Sequence, residues 1–95
     1  MSLALTRQVQ LTREEFLRQL PGAVGTLKYR AEGNSVVIGE GSKLIRIELT
    51  DLGIEEKGSL DLPMQQVAFS FENMSESEVK DFIATWDEHE LRMGG

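Results

Sequence analysis

No cysteine occurs in the chain, so neither a disulfide framework nor a thiolate metal site is available to it. No apolar run approaches the roughly 20 residues that a membrane-crossing helix needs. The stretch from Met1 to Arg7 lacks the basic start and long apolar middle of a signal peptide. A cytoplasmic location is the expectation, with no membrane as partner. Proline is confined to Pro21 and Pro63, and no Pro-, Gly- or Ser-rich linker, repeat or low-complexity tract divides the sequence. The 95 residues are expected to form one domain, with residues 1–6 and 92–95 fraying.

Basic side chains are scarce: ten stand against sixteen acidic ones, a net charge of −6 that opposes a phosphate backbone. Aromatics are scarce too, and the strand aromatics Tyr29, Phe69 and Phe71 fall on rows that read as inward, which leaves no exposed rings for stacking bases. Nucleic acid is not an expected partner. His89 is the single histidine, and the adjacent Glu88 and Glu90 point elsewhere on a helix, so it reads as a surface histidine rather than a catalytic or metal-binding one. No Gly-x-Ser-x-Gly elbow occurs, and Gly39-Glu40-Gly41-Ser42 is a turn, with no helix or Lys-Ser/Thr pair following to make a phosphate cradle. An enzyme is not expected, nor is a cofactor.

What the chain does have is 40% hydrophobic and 27% charged residues, ordinary for a globular domain. From Thr26 to Glu72, apolar residues alternate with polar ones, the period of strands that bury one face. Leu27, Tyr29 and Ala31 share a face; Val36 and Ile38 follow the turn signal Gly33-Asn34; Ile45, Ile47 and Leu49 make a third inward row. In the fourth strand Leu60, Leu62 and Met64 hold even positions but Val67, Phe69 and Phe71 odd ones, which predicts a bulge near residues 63–66, with the first half of the strand at an edge. Pro63 agrees, because it cannot donate to a ladder. The segment Leu52 to Ser59 reads as an exposed loop, and residues 7–11 as a possible extra edge strand.

A helix flanks the strands on each side. Thr12 and Glu15 form a capping box opening a helix over about residues 13–20, which Pro21-Gly22 is expected to end. Ser75 and Glu78 repeat the box, and Val79, Phe82, Ile83 and Trp86 then make one apolar stripe. The expected fold is α+β and two-layered: a four-stranded antiparallel meander carrying both helices on one face.

The alternate strand positions then define an open face: Lys28, Arg30, Val37, Leu44, Arg46, Glu48, Ala68 and Ser70. Three cations beside a modest apolar strip suit a protein partner or a second copy of the chain. The second helix is acidic outside its stripe, and Asp87, Glu88 and Glu90 crowd the C-terminal end that the helix dipole makes unfavourable for them, which also invites a basic partner. The expected function is a small interaction module, self-associating through the open face or an edge strand.

A further feature is the ending Glu90-Leu91-Arg92-Met93-Gly94-Gly95. In these last residues the chain resembles ubiquitin-like modifiers and small sulfur-carrier proteins. The resemblance implies activation of the Gly95 carboxylate by adenylation, with Gly94 and Gly95 threading an enzyme's narrow site, and a β-grasp fold with a helix between two strand pairs. A carrier is thus an alternative function. Another is a small-ligand binder using a cavity near Tyr29 and Trp86.

Overall fold

The computed structural model describes residues 2–58 and 60–92. Strand β1 (Ser2–Val9) is followed by helix α1 (Arg13–Val24), four strands β2 (Tyr29–Glu32), β3 (Ser35–Ile38), β4 (Leu44–Lys57) and β5 (Leu60–Glu72), and helix α2 (Glu76–Arg92). All neighbours in the sheet are antiparallel, in the order β1-β5-β4-β3-β2. The meander is as expected, and the N-terminal strand joins it along β5, starting at Ser2 and longer than the 7–11 edge strand expected. Because β1 and β2 occupy opposite edges, the chain between them must cross the sheet, and α1 makes that crossing.

Both capping boxes form. Thr12 Oγ1 accepts from the Glu15 amide at 3.1 Å while Glu15 Oε1 accepts from the Thr12 amide at 3.0 Å. Ser75 and Glu78 reproduce the exchange at 3.2 and 3.0 Å. Helix α1, however, does not stop at Leu20: it runs through Pro21 to Val24, with Gly25 at φ 64° as its C-cap. Proline forfeits one intrahelical hydrogen bond. Here Pro21 sits on the exposed side, and continuing the helix buries Ala23 and Val24 in the core, which offsets the lost bond.

The core lies between one sheet face and the two helices. Val36, Ile38, Ile45, Ile47, Leu49, Val67, Phe69 and Phe71 face Phe16, Leu20, Ala23, Val24, Val79 and Trp86. At its centre Phe69 meets Trp86 edge to face with centroids 5.2 Å apart, and Phe82 stands T-shaped against Phe69 and Phe71. Phe16 brings α1 onto the same cluster, 5.6 Å from Trp86.

The β2 row departs from expectation. Leu27 and Tyr29 are exposed, and all four residues of β2, the strand at the sheet's edge, are open to solvent. The bulge is displaced as well. The extra residue is Leu52 in β4, between the pairs Asp51↔Gln65 and Gly53↔Met64, while β5 passes through Pro63 in unbroken register. Either strand of a pair can carry the extra residue. Gly53 takes φ 86°, readily available to glycine, and its amide donates to Asp51 Oδ1 at 2.8 Å.

Leu52 to Lys57 is therefore strand rather than loop. Strand β3 ends opposite Glu48 and β1 ends opposite Gln65, so among the described residues the distal part of the β4–β5 hairpin has no strand neighbour on either side and projects as a two-stranded arm. On it Ile54 is 70% exposed and Leu52 45%.

The capping boxes have a pH signature. Hydrogen bonds from the Thr12 backbone and then its side chain hold the Glu15 carboxyl below its ordinary 4.5. The Lys43 ammonium, then the Ser75 backbone, does the same for Glu78. Both groups release their protons more readily folded than unfolded. Each thus stabilises the fold above about pH 4.5, and that contribution is lost as pH falls through the lower folded value. Urea unfolding between pH 6 and pH 3 should show a steeper loss for the native chain than for E15Q,E78Q, in which glutamine keeps the box but does not titrate there.

Candidate functional site

Among the described residues no element covers the face opposite the helices. Strand alternation and register assign its residues: Val36 and Ile38 are buried towards the helices, so Ser35 and Val37 point the other way. One row across the strands reads Arg30, Val37, Arg46, Ser70, Ala4. The adjacent row, two residues along each strand, reads Glu32, Ser35, Glu48, Ala68, Thr6. Leu44 and Glu72 form a pair in the next row. The residues expected on this face from β3, β4 and β5, with Arg30 from β2, are thus brought together, and Lys28 lies at the margin just before β2.

The cations are less free than composition suggests. Arg46 Nε donates to Glu72 Oε1 at 2.8 Å, and Lys28 Nζ lies 2.9 Å from Glu40 Oε1. Ser35 Oγ donates to Glu48 Oε1 at 2.7 Å. Arg30 and Glu32, by contrast, have no ion-pair partner among the described residues. Glu72 and Glu40 carry no periodic signal of their own, so only the register could reveal these pairings. The result is a basic row lying directly beside an acidic one, with the apolar Val37 and Leu44 half-buried among them.

The acidic end of α2 finds relief within the chain. Arg7 on β1 donates to Asp87 Oδ2 at 3.0 Å, a contact between residues far apart in sequence. Such an exposed pair is worth about 0–1 kcal/mol, the same order as the cost of about 0.3–1 kcal/mol for an anion at a helix C-terminus. The need for an external basic partner at Asp87 therefore falls away.

Tyr29 and Trp86, the expected walls of a ligand cavity, are not brought together: Trp86 is core and Tyr29 stands at the edge. A groove of about 370 Å³ lies instead between the helices, with Ala23, Val24, Leu27, Ile45, Met74 and Phe82 along it and Glu78, Asp81 and Thr85 at its rim. The tail residues Gly94 and Gly95 lie outside the described residues. The four-stranded meander has no helix between two strand pairs, the arrangement that the tail's resemblance implies. No group of three or more metal-ligating side chains occurs among the described residues, and no helix among them is long and apolar enough to cross a membrane.

His89 is half-buried rather than fully exposed. Its ring packs on Gly22 of α1, and Nε2 is sealed from solvent without a hydrogen-bond partner among the described residues. No local pattern marks this; it follows from α1 continuing past Pro21, which brings Gly22 into a helix that α2 must cross. Comparison with protein-family models, with curated proteins and with solved structures finds no match.

A Cβ at position 22 would stand 2.5 Å from His89 Cε1. Gly22→Ala should therefore destabilise the chain by about 1–3 kcal/mol through overpacking, against a helix-propensity gain of up to about 1 kcal/mol. In a His89→Ala background the same change should become neutral or stabilising. Denaturant midpoints of the four chains in this double-mutant cycle provide the check.

Proposed function

We propose that the chain is a small protein-interaction module that self-associates face to face through its open sheet. The observation that carries this reading is the juxtaposition of an Arg30–Arg46 row with a Glu32–Glu48 row, on the same two strands and two residues apart. Two residues along a strand span about 7 Å. Consider a twofold axis lying in the interface, perpendicular to the strands and midway between the rows. It sets Arg30 over Glu32 of the second copy, and Arg46 over its Glu48, with both reciprocal pairs formed by the same operation. Such an interface is isologous, the commonest arrangement in soluble homo-oligomers.

Packing supports the same reading. At the β5–β1 side the two rows hold Ser70, Ala4, Ala68 and Thr6, short side chains that let two sheets approach to the usual separation of about 10 Å. Val37 and Leu44 supply apolar area, and the charged rows fix the register. The existing Arg46–Glu72 pair would be shared rather than broken, since a guanidinium carries five donors.

Sedimentation equilibrium tests this directly. The native chain should form a dimer that weakens as salt is raised, because its register rests on exposed charge. Arg46→Glu should weaken association by about tenfold or more, while leaving the thermal transition in place. Exchanging the rows with R46E,E48R should recover much of the affinity. Dimerisation that neither single nor double variant alters would exclude this face.

A further inference from the structure

A cleft of about 570 Å³ opens between the first turn of α1 and the helix-side surface of the β4–β5 arm. Its walls are Thr12, Arg13 and Glu14 on one side and Asp51, Gly53, Ile54, Pro63 and Gln65 on the other. The bulge at Leu52 creates it. By adding one residue to β4, the bulge turns Ile54 and Pro63, a cross-strand pair, towards α1 and leaves Met64 facing away from the core cluster.

The telling residue is Gln65. It is 6% exposed, the one polar side chain buried with the core among the described residues, and its amide makes no hydrogen bond among them. Its amide is not sealed, however: among the described residues the buried side-chain nitrogen or oxygen without a partner is His89 Nε2, so the Gln65 carboxamide keeps contact with water through the cleft. Gln65 lines the cleft, where a ligand can reach it.

The electrostatics select the sign of that ligand. Asp51 uses Oδ1 to cap the Gly53 amide and has no cationic partner among the described residues. Arg13, the one cation on the walls, is committed elsewhere: its Nε donates to the Gly33 carbonyl at 3.0 Å, and its Nη1 lies 3.9 Å from Glu14. Nor is the helix N-terminus open to an anion. Its first turn already holds Glu14 and Glu15, and Thr12 accepts from the Glu15 amide with its hydroxyl and from the Phe16 amide with its carbonyl. Two apolar walls, one unpaired carboxylate and one unpaired carboxamide complement a single positive charge on a short hydrocarbon stem.

We infer that this cleft is a binding site for an organic cation of the arginine or lysine side-chain type, its charge held by Asp51, its remaining donors by the Gln65 carbonyl, and its stem by Ile54 and Pro63. The site faces away from the open sheet and is independent of self-association. Two sources could present the group, a free small cation or a polypeptide.

The test is an NMR titration of the full chain, following the Gln65 side-chain NH2 and the Gly53 and Ile54 amides. Probes are n-butylguanidinium, the blocked peptide acetyl-Ala-Arg-Ala-amide, and n-butanesulfonate as an anion with the same stem. Saturable shifts confined to these residues with both cations, and none with the sulfonate, are expected; tighter binding of the peptide identifies a polypeptide as the source, equal binding a free cation. Asp51→Asn keeps an oxygen to cap Gly53 but not the charge, and should weaken binding by about tenfold. Gln65→Leu should weaken it as well, with the fold verified by unchanged methyl shifts of Ile47 and Val36. Shifts spread over the acidic surface, equal response to the sulfonate, or unchanged affinity in D51N would overturn the assignment.

Discussion

Everything in this molecule depends on the aromatic contact between β5 and α2. Phe69 and Phe71 project from one face of an interior strand, and Phe82 and Trp86 descend on them from a single helical stripe. Phe16 adds α1 to the same cluster through Trp86. Rings of this size dominate the apolar area a small domain can bury, and edge-to-face pairs add about 0.5–1.5 kcal/mol each beyond that area. Because all five rings gather on one side, both helices must lie there, and the opposite sheet face is left without a layer.

That asymmetry organises the surface. A chain of this length has material for two layers and not three. The uncovered face compensates by being polar in alternating rows, with Arg46–Glu72 and Ser35–Glu48 contacts along it. The helices also cover less than the sheet offers. Strand β2 stays exposed at the sheet's edge, and the arm of β4 and β5 extends past both neighbouring strands, giving the molecule extents of 45 × 25 × 21 Å. An isolated two-stranded ribbon is marginal in water. Its base is secured by the Asp51 cap on the Gly53 amide.

Much of this was legible in the sequence wherever a single element decides the outcome. Thr12 with Glu15 and Ser75 with Glu78 mark helix starts, because a capping box needs only its own four residues. The Val79–Trp86 stripe and the odd rows of β4 and β5 follow from period alone, and strand alternation assigned the open face residue by residue. What failed depended on two elements meeting. Pro21 reads locally as a terminator, yet the burial of Ala23 and Val24 carries the helix past it. The parity change in β5 is real, but it reflects apolar residues on two faces of a straight strand, with the bulge on its partner. Tyr29 has the pattern of an inward residue on a strand that stays exposed at the sheet's edge. His89 against Gly22, and the cleft at Gln65, exist only once α1 is placed across the sheet.

The central claim is that the face the helices leave bare is the surface a second copy covers. Methyl and amide NMR spectra recorded on serial dilution address it most directly. The account predicts concentration-dependent shifts at Val37, Leu44, Ala68 and the Arg46 amide, with the buried methyls of Val36 and Ile47 unmoved. Spectra that do not change with concentration, or changes confined to the arm and the helices, would contradict it.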